Sequence, residues 1–305
     1  MGEASAAAGQ LPYRLGEIGE RLRAFRMGRG LTPEAVADRI GISRAALYRA
    51  EKGQIPKFET LVRVSTVLGV SLPSLLGVGV EYVDTAVGFF ERMRQLEEQS
   101  DEVVGLFGPV SYLLTSEAYD GMLSEVLLDT LPEDPRLAAE ARAAHRMLLD
   151  VLKARKALWR RRRTRITSLI SSSDMERFLL HGALGRHDLA ADVVARRRMQ
   201  ARREVEHVAG LLRRPLPDVQ IGLVLQPTPA TTFQIFRQPD RSVLAISPFR
   251  LGEQPNVSLG AALITSAEEP MRLHEAIVAR LWQGALKGES AAEYLDTLVA
   301  RYGIG

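Results

Sequence analysis

The sequence predicts two domains, a small all-α unit followed by a larger, mostly helical α+β domain with a small antiparallel sheet. Three observations carry this. Between Leu15 and Leu76, apolar residues recur at helical spacing in short stretches, each opened or closed by a capping residue. Gly77 and Gly79 interrupt that pattern. Between Val219 and Ile264 the helical period gives way to short β-prone runs bounded by Pro, Gly, Asp and Asn. The domain reading is therefore a disordered tail at 1–12, a helical unit at 13–77 and a second domain at 78–305. The second domain reads as helical over 80–213, as sheet over 219–264 and as terminal helices over 269–302.

In the first unit, Leu15, Ile18, Leu22 and Phe25 mark the buried face of one helix. Thr32-Pro33-Glu34 opens a second, with Thr32 as N-cap, Pro33 at the first helical position and an acid in the first turn. Gly41 stops it and Ser43 caps a third, whose Leu47 and Ala50 point inward. Gly53 is placed to end that helix with a positive φ. Phe58–Leu68 forms a fourth, and Ser71 caps a short fifth. The second domain starts with a helix over about Val80 to Gln99, and further helices continue to about Arg165. Ile166–Ser171 reads as a short strand, Asp174–Leu180 as a helix and His187–Arg213 as a long one. Strands are expected at Val219–Leu225, Thr231–Arg237, Ser242–Ile246 and Val257–Ile264, and a helix over Glu269–Leu286.

Composition narrows the chemistry. The 305 residues contain no cysteine, which excludes disulfides, thiolate metal sites and cysteine nucleophiles. Met1–Gln10 lacks the basic-then-apolar pattern of a signal peptide, and the longest apolar stretch, Val104–Leu114, is too short for a membrane span. A soluble cytoplasmic protein is expected. The net charge is only +3, but it is unevenly placed. Leu11–Gly77 holds eleven basic and six acidic side chains, whereas the remainder is nearly balanced. A basic surplus confined to a small helical unit is the electrostatic footprint of a nucleic-acid binder.

The run from Leu31 to Gly53 gives that footprint a geometry. Two short helices meet at a turn containing Gly41, small Ala37 permits close packing, and Ile42 and Leu47 fix the angle between them. The second helix of the pair then projects, and an α-helix fits the major groove of DNA. Its exposed positions are expected to be Arg44, Ala45, Tyr48 and Arg49. The two arginines can donate bidentately to guanine, Ala45 can meet a thymine methyl, and Tyr48 offers a hydroxyl. Ser43 brings a hydroxyl and backbone N–H groups to a phosphate, and Lys52, Gln54 and Lys57 can grip the backbone from the following loop.

At these residues the sequence resembles the Cro/CI (XRE) family of helix-turn-helix transcriptional regulators. The resemblance covers about residues 15 to 77. It rests on Arg26, Gly30-Leu31-Thr32, Ala37, Gly41-Ile42-Ser43, Glu51-Lys52-Gly53, Pro56 and Leu68-Gly69-Val70-Ser71. It implies a lambda-repressor-like fold, double-stranded DNA as partner and an ion pair between Arg26 and Glu51 that braces the reading helix. One position departs from the family. Where many members open the second helix with a glutamine that contacts the DNA backbone, this chain has Pro33, leaving Thr32 to make that contact.

Other signals are weaker. The basic run Arg160–Arg163, with Lys153, Arg155, Lys156 and Arg165 nearby, reads as a solvated helix face, with a second DNA contact or an anion pocket as alternatives. Glu204-x-x-His207 is half of a di-iron motif without its second copy, so no metal and no cofactor are expected. No phosphate-binding loop or nucleophile turn is present, so no catalytic residue is assigned and the chain is not read as an enzyme. The layout of the second domain is similar to effector-type domains attached to such DNA readers. The expectation is a homodimeric regulator modulated by a small-molecule effector. The alternatives are a partner-controlled, antitoxin-like regulator and an enzyme with an attached DNA reader. An effector pocket is placed between the sheet and the helices, with Arg250, Ser247 or Gln234 among its polar groups.

Overall fold

The computed structural model describes residues 15–54 and 56–302. The tail expected at residues 1–12 lies outside them, as does the side chain of Leu15. The chain divides into two compact units, Met1–Tyr82 and Val83–Gly305.

The first unit contains α1 (Leu15–Gly28), α2 (Pro33–Ile40), α3 (Arg44–Glu51), α4 (Phe58–Leu68) and α5 (Leu72–Leu76). Its caps follow from local chemistry. The hydroxyls of Thr32, Ser43 and Ser71 accept from the amides of Ala35, Ala46 and Ser74, each at 3.2 Å. Gly41 ends α2 with φ +68°, a left-handed conformation that costs a side-chain-bearing residue about 1 kcal/mol or more. The apolar stripes of the five helices converge on one core that buries Ile18, Leu22, Val36, Leu47, Val64 and Leu75. Gly19 lets α1 and α3 approach closely. A Cβ there would stand 2.3 Å from the Ala50 carbonyl oxygen and 2.8 Å from that of Glu51.

The strand β1 (Val80–Val83) spans the division between the units. Beyond it lie α6 (Ala86–Gln99), β2 (Glu102–Phe107), a 3₁₀ turn (Tyr112–Leu114), α7 (Tyr119–Asp129), α8 (Pro135–Arg162) and β3 (Arg165–Ser171). Then come α9 (Ser172–His181), α10 (Ala191–Arg213), β4 (Val219–Val224), β5 (Thr232–Arg237), β6 (Ser242–Ser247), β7 (Ala262–Thr265), α11 (Glu268–Gly284) and α12 (Gly288–Tyr302). The second unit is α+β, but its sheet is neither small nor purely antiparallel. It supplies six of the seven strands, in the order β7-β6-β5-β2-β3-β4. β2, β3 and β4 are parallel, whereas β5 is antiparallel to β2, β6 to β5 and β7 to β6. The parallel half follows from the long helices. Parallel neighbours need a crossover, and the connections containing α8 and α10 supply the β2-to-β3 and β3-to-β4 links.

Two strands were not expected from the sequence. Val80–Val83 is extended, and the helix read from Val80 begins at Ala86, capped by Thr85. β2 occupies part of the stretch read as helical. The last strand is shorter and later than Val257–Ile264, because the Asn256 side chain ties up the Leu259 backbone just before it. One face of the sheet packs Leu106, Leu169, Val224, Phe233, Ile235 and Leu244 against Met271 and Leu281 of α11.

Ion pairs made by buried basic side chains join the helices of this unit. Arg155 of α8 donates to Glu97 of α6 at 3.1 Å, and Arg197 of α10 donates to Glu125 and Asp129 of α7. Lys156 reaches Asp120 at 3.0 Å. The solvated reading of the surrounding basic run therefore fails at Arg155 and Lys156, whose side chains are only 4% exposed and have acidic partners. Glu204 accepts from the Ser116 amide at 3.0 Å, and His207 Nε2 lies 3.1 Å from the Leu114 carbonyl oxygen.

Alanine at an interior helical position ordinarily stabilises relative to glycine. At Gly19 the sign should reverse. Gly19→Ala is expected to destabilise the first unit by about 1–3 kcal/mol, because the added methyl meets backbone that cannot give way. Thermal denaturation followed by circular dichroism checks this, and an unchanged or raised midpoint would show that α1 and α3 separate freely.

Candidate nucleic-acid interface

α3 is an eight-residue helix with two unlike ends. Leu47 and Ala50 are its buried residues, one turn apart on its inner face. Arg26, near the end of α1, reaches that end with a two-pronged grip. Its Nε donates to Glu51 Oε1 at 2.6 Å and its Nη2 to Oε2 at 3.1 Å, while Nη1 donates to the Leu31 carbonyl at 2.9 Å. The partners are at most 10% exposed, so this pair is shielded from solvent, unlike an ordinary surface ion pair. One guanidinium thus joins the end of α1, the turn before α2 and the end of α3. The arrangement braces the helix by its C-terminal end.

The other face is open. Arg44, Ala45, Tyr48 and Arg49 are all exposed, and Tyr48 retains 58% of its surface. Two of the four are arginines, so the face presents planar donor forks able to bind guanine bidentately. Ser43 is exposed at the start of the helix, and its oxygen already accepts from Ala46, leaving the hydroxyl proton available to a phosphate. Thr32 caps α2 in the same way, and its hydroxyl also donates to the Glu34 carboxylate. Lys52 is exposed with its ammonium 5.8 Å from the Tyr48 ring centroid. Gln54 and Lys57 are exposed in the loop that follows, and the Gln54 amide donates to the Arg49 carbonyl at 3.0 Å. The structure therefore brings the sequence-derived residues onto α3, its flanking loop and the start of α2.

Sequence reasoning missed Glu34. Its carboxylate lies 2.6 Å from Arg44 Nε, and both side chains are largely solvent-exposed. A hydrogen bond from its own backbone amide, then the Arg44 charge and the Thr32 hydroxyl, hold the Glu34 carboxyl below the usual carboxylate range. Glu34 is therefore a fixed negative charge on an otherwise basic face. The acid was legible as a first-turn helix residue, but its pairing depends on the angle between α2 and α3.

Residues 22–75 match the Helix-turn-helix family model HTH_3, a Cro/CI-type helix-turn-helix. The match spans α2 to α4 completely and all but the ends of the first unit. It supports a DNA-binding regulator of XRE type. No curated protein shows significant similarity to the chain. Among the described residues, no helix is long and apolar enough to cross a membrane.

An exposed ion pair is weak, so DNA can take Arg44 from Glu34 at small cost. Glu34→Gln is expected to raise DNA affinity by up to about fivefold, by removing that competitor. Gel-shift titrations in the parent and in Arg44→Ala test the attribution. An equal gain in both backgrounds would trace the effect to general charge and not to this pair.

Proposed function

We propose that the chain is a sequence-specific transcriptional regulator that acts in the cytoplasm as a homodimer, with DNA binding modulated by a small-molecule effector in the second unit. The observation that carries this is the asymmetry of α3. A helix clamped at its C-terminal end by Arg26 and Glu51 presents Arg44, Ala45, Tyr48 and Arg49 to solvent. In this reading α3 enters the major groove. Arg44 and Arg49 read base edges, while Thr32, Ser43, Lys52, Gln54 and Lys57 fix register on the phosphates. Phosphate contacts supply most of the affinity and its salt dependence, and base contacts supply the discrimination.

A single reading helix covers too few base pairs for high specificity. Two copies related by a two-fold axis would read a near-palindrome with half-sites about 34 Å apart. The second unit, much larger than a DNA reader requires, is assigned to dimerisation and sensing and not to catalysis. An effector acts there by favouring one of two arrangements of the dimer, to the extent that its affinities for the two differ.

Arg44→Ala and Arg49→Ala are expected to weaken specific binding by about 1–3 kcal/mol and to relax base preference, whereas Lys52→Ala should weaken binding to all sequences alike. Gel shifts on a selected operator and on random duplex separate these outcomes. Unchanged preference in both arginine variants would remove α3 as the reader, and a monomer in light scattering with and without operator would remove the dimer.

A further inference from the structure

The second unit contains a cavity of about 600 Å³, at the C-terminal ends of β2 and β3. Its volume is in the range of small-molecule sites, and its position is where open sheets with parallel strands take ligands. Leu106 and Phe107 at the end of β2 contribute apolar wall. Asp174 and Arg177 come from α9, while Arg250 and Glu253 come from the loop after β6. Of the three polar residues expected from the sequence, Arg250 lines this cavity. Gln234 lines a smaller one of about 50 Å³, which Arg250 also borders. Ser247 lines neither, and its hydroxyl is occupied as acceptor for the Phe249 amide.

The charged groups of the wall are unequally satisfied. Glu253 is occupied at both oxygens, by His181 Nδ1 at 2.6 Å and by Arg177 Nε at 3.1 Å. Arg177 also donates to Oδ1 of Asp174. Two groups remain. Asp174 Oδ2 has no hydrogen-bond donor among the described residues, although burial, chiefly, raises the pKa of this carboxyl. The Arg250 guanidinium is close enough to influence Asp174 electrostatically, yet among the described residues it makes no ion pair or side-chain hydrogen bond. An unpaired guanidinium fork suits a carboxylate or phosphate, and an unfilled carboxylate oxygen suits an O–H or N–H donor.

We propose that this cavity binds a small organic anion that also carries a hydroxyl or amino group, its anionic end on Arg250 and its donor on Asp174. Sugar phosphates, hydroxy acids and amino acids share this chemistry. That the ligand is the effector rests on the regulatory reading above, whereas its binding does not.

The test uses the full chain. Thermal shift and calorimetry are run with L-lactate, L-malate, L-serine and glucose 6-phosphate at millimolar concentration. Acetate and sulfate serve as anions without a carbon-borne donor, and lactamide and glucose as uncharged controls. At least one of the first four is expected to bind, with the controls inert. Arg250→Gln should weaken that binding by about tenfold or more, Arg250→Lys by less, and Asp174→Asn should weaken it while leaving the unliganded midpoint near the parent's. Absence of binding by all four overturns the proposal, as does acetate binding as tightly, or affinity unchanged in both Arg250→Gln and Asp174→Asn. Gel shifts with the bound probe then separate the two claims. Binding without any change in DNA affinity upholds the site and overturns its role as effector site.

Discussion

The first unit depends on the way α3 is fastened. A helix of eight residues does not persist alone in water, because nucleating it costs more than its few hydrogen bonds return. It is held by tertiary contacts along its inner face and at its C-terminal end. Gly19 lets α1 come within backbone contact of Ala50 and Glu51, and Arg26 takes both oxygens of Glu51. Leu47 packs inward from the middle of the helix, and with the C-terminal end fixed by packing and by a shielded ion pair, no anchoring is demanded of the outer face. Its polar side chains are left to solvent. Rigidity and exposure on the same short helix are what a base-reading element requires.

The second unit uses the same device at larger scale. Arg155 and Glu97 join α8 to α6, and Arg197 joins α10 to two acids of α7. Removing one member of the Arg155–Glu97 pair, buried on both sides, would cost about 3–5 kcal/mol, since the remaining charge is stranded. These pairs therefore fix how the crossover helices are placed beside their neighbours. The crossovers in turn make β2, β3 and β4 parallel. Parallel strands end on one side, and that is where the Arg250 cavity opens. Arg155 and Arg197 are thus the architectural arginines of the long helices, and among the described residues Arg250 of the cavity wall makes no ion pair.

The reader was legible in the sequence because its determinants are local. Thr32, Ser43 and Ser71 cap by bonds three residues away, and Gly41 and Gly69 end their helices through their own backbone conformation. Arg26–Glu51 could be anticipated only through family resemblance, since 25 residues separate the partners. The sheet was half legible. Its antiparallel strands alternate or carry turn residues at their ends, whereas Val103–Phe107 is buried throughout and shows no period that separates a strand from a buried helix. Val80 and Val83 fit a helical spacing as well as a strand. Arg155 and Lys156 looked solvated because their acids, Glu97 and Asp120, lie 58 and 36 residues away.

Glu34 shows how the reader sets affinity against selectivity. An acid at the start of α2 favours that helix through its dipole and orients Arg44 by ion pairing. The same charge repels phosphate wherever the face meets DNA, and that penalty applies to every sequence. In the proposed reading, the orientation of Arg44 helps only where a guanine receives it. On that same reading, a residue that repels every sequence alike and holds Arg44 toward the groove until a base takes it raises the ratio of specific to non-specific binding while lowering both affinities. With the basic surplus confined to this small unit, total attraction to DNA is not the scarce quantity. Discrimination among many competing sites is, and Glu34 shifts the balance toward it.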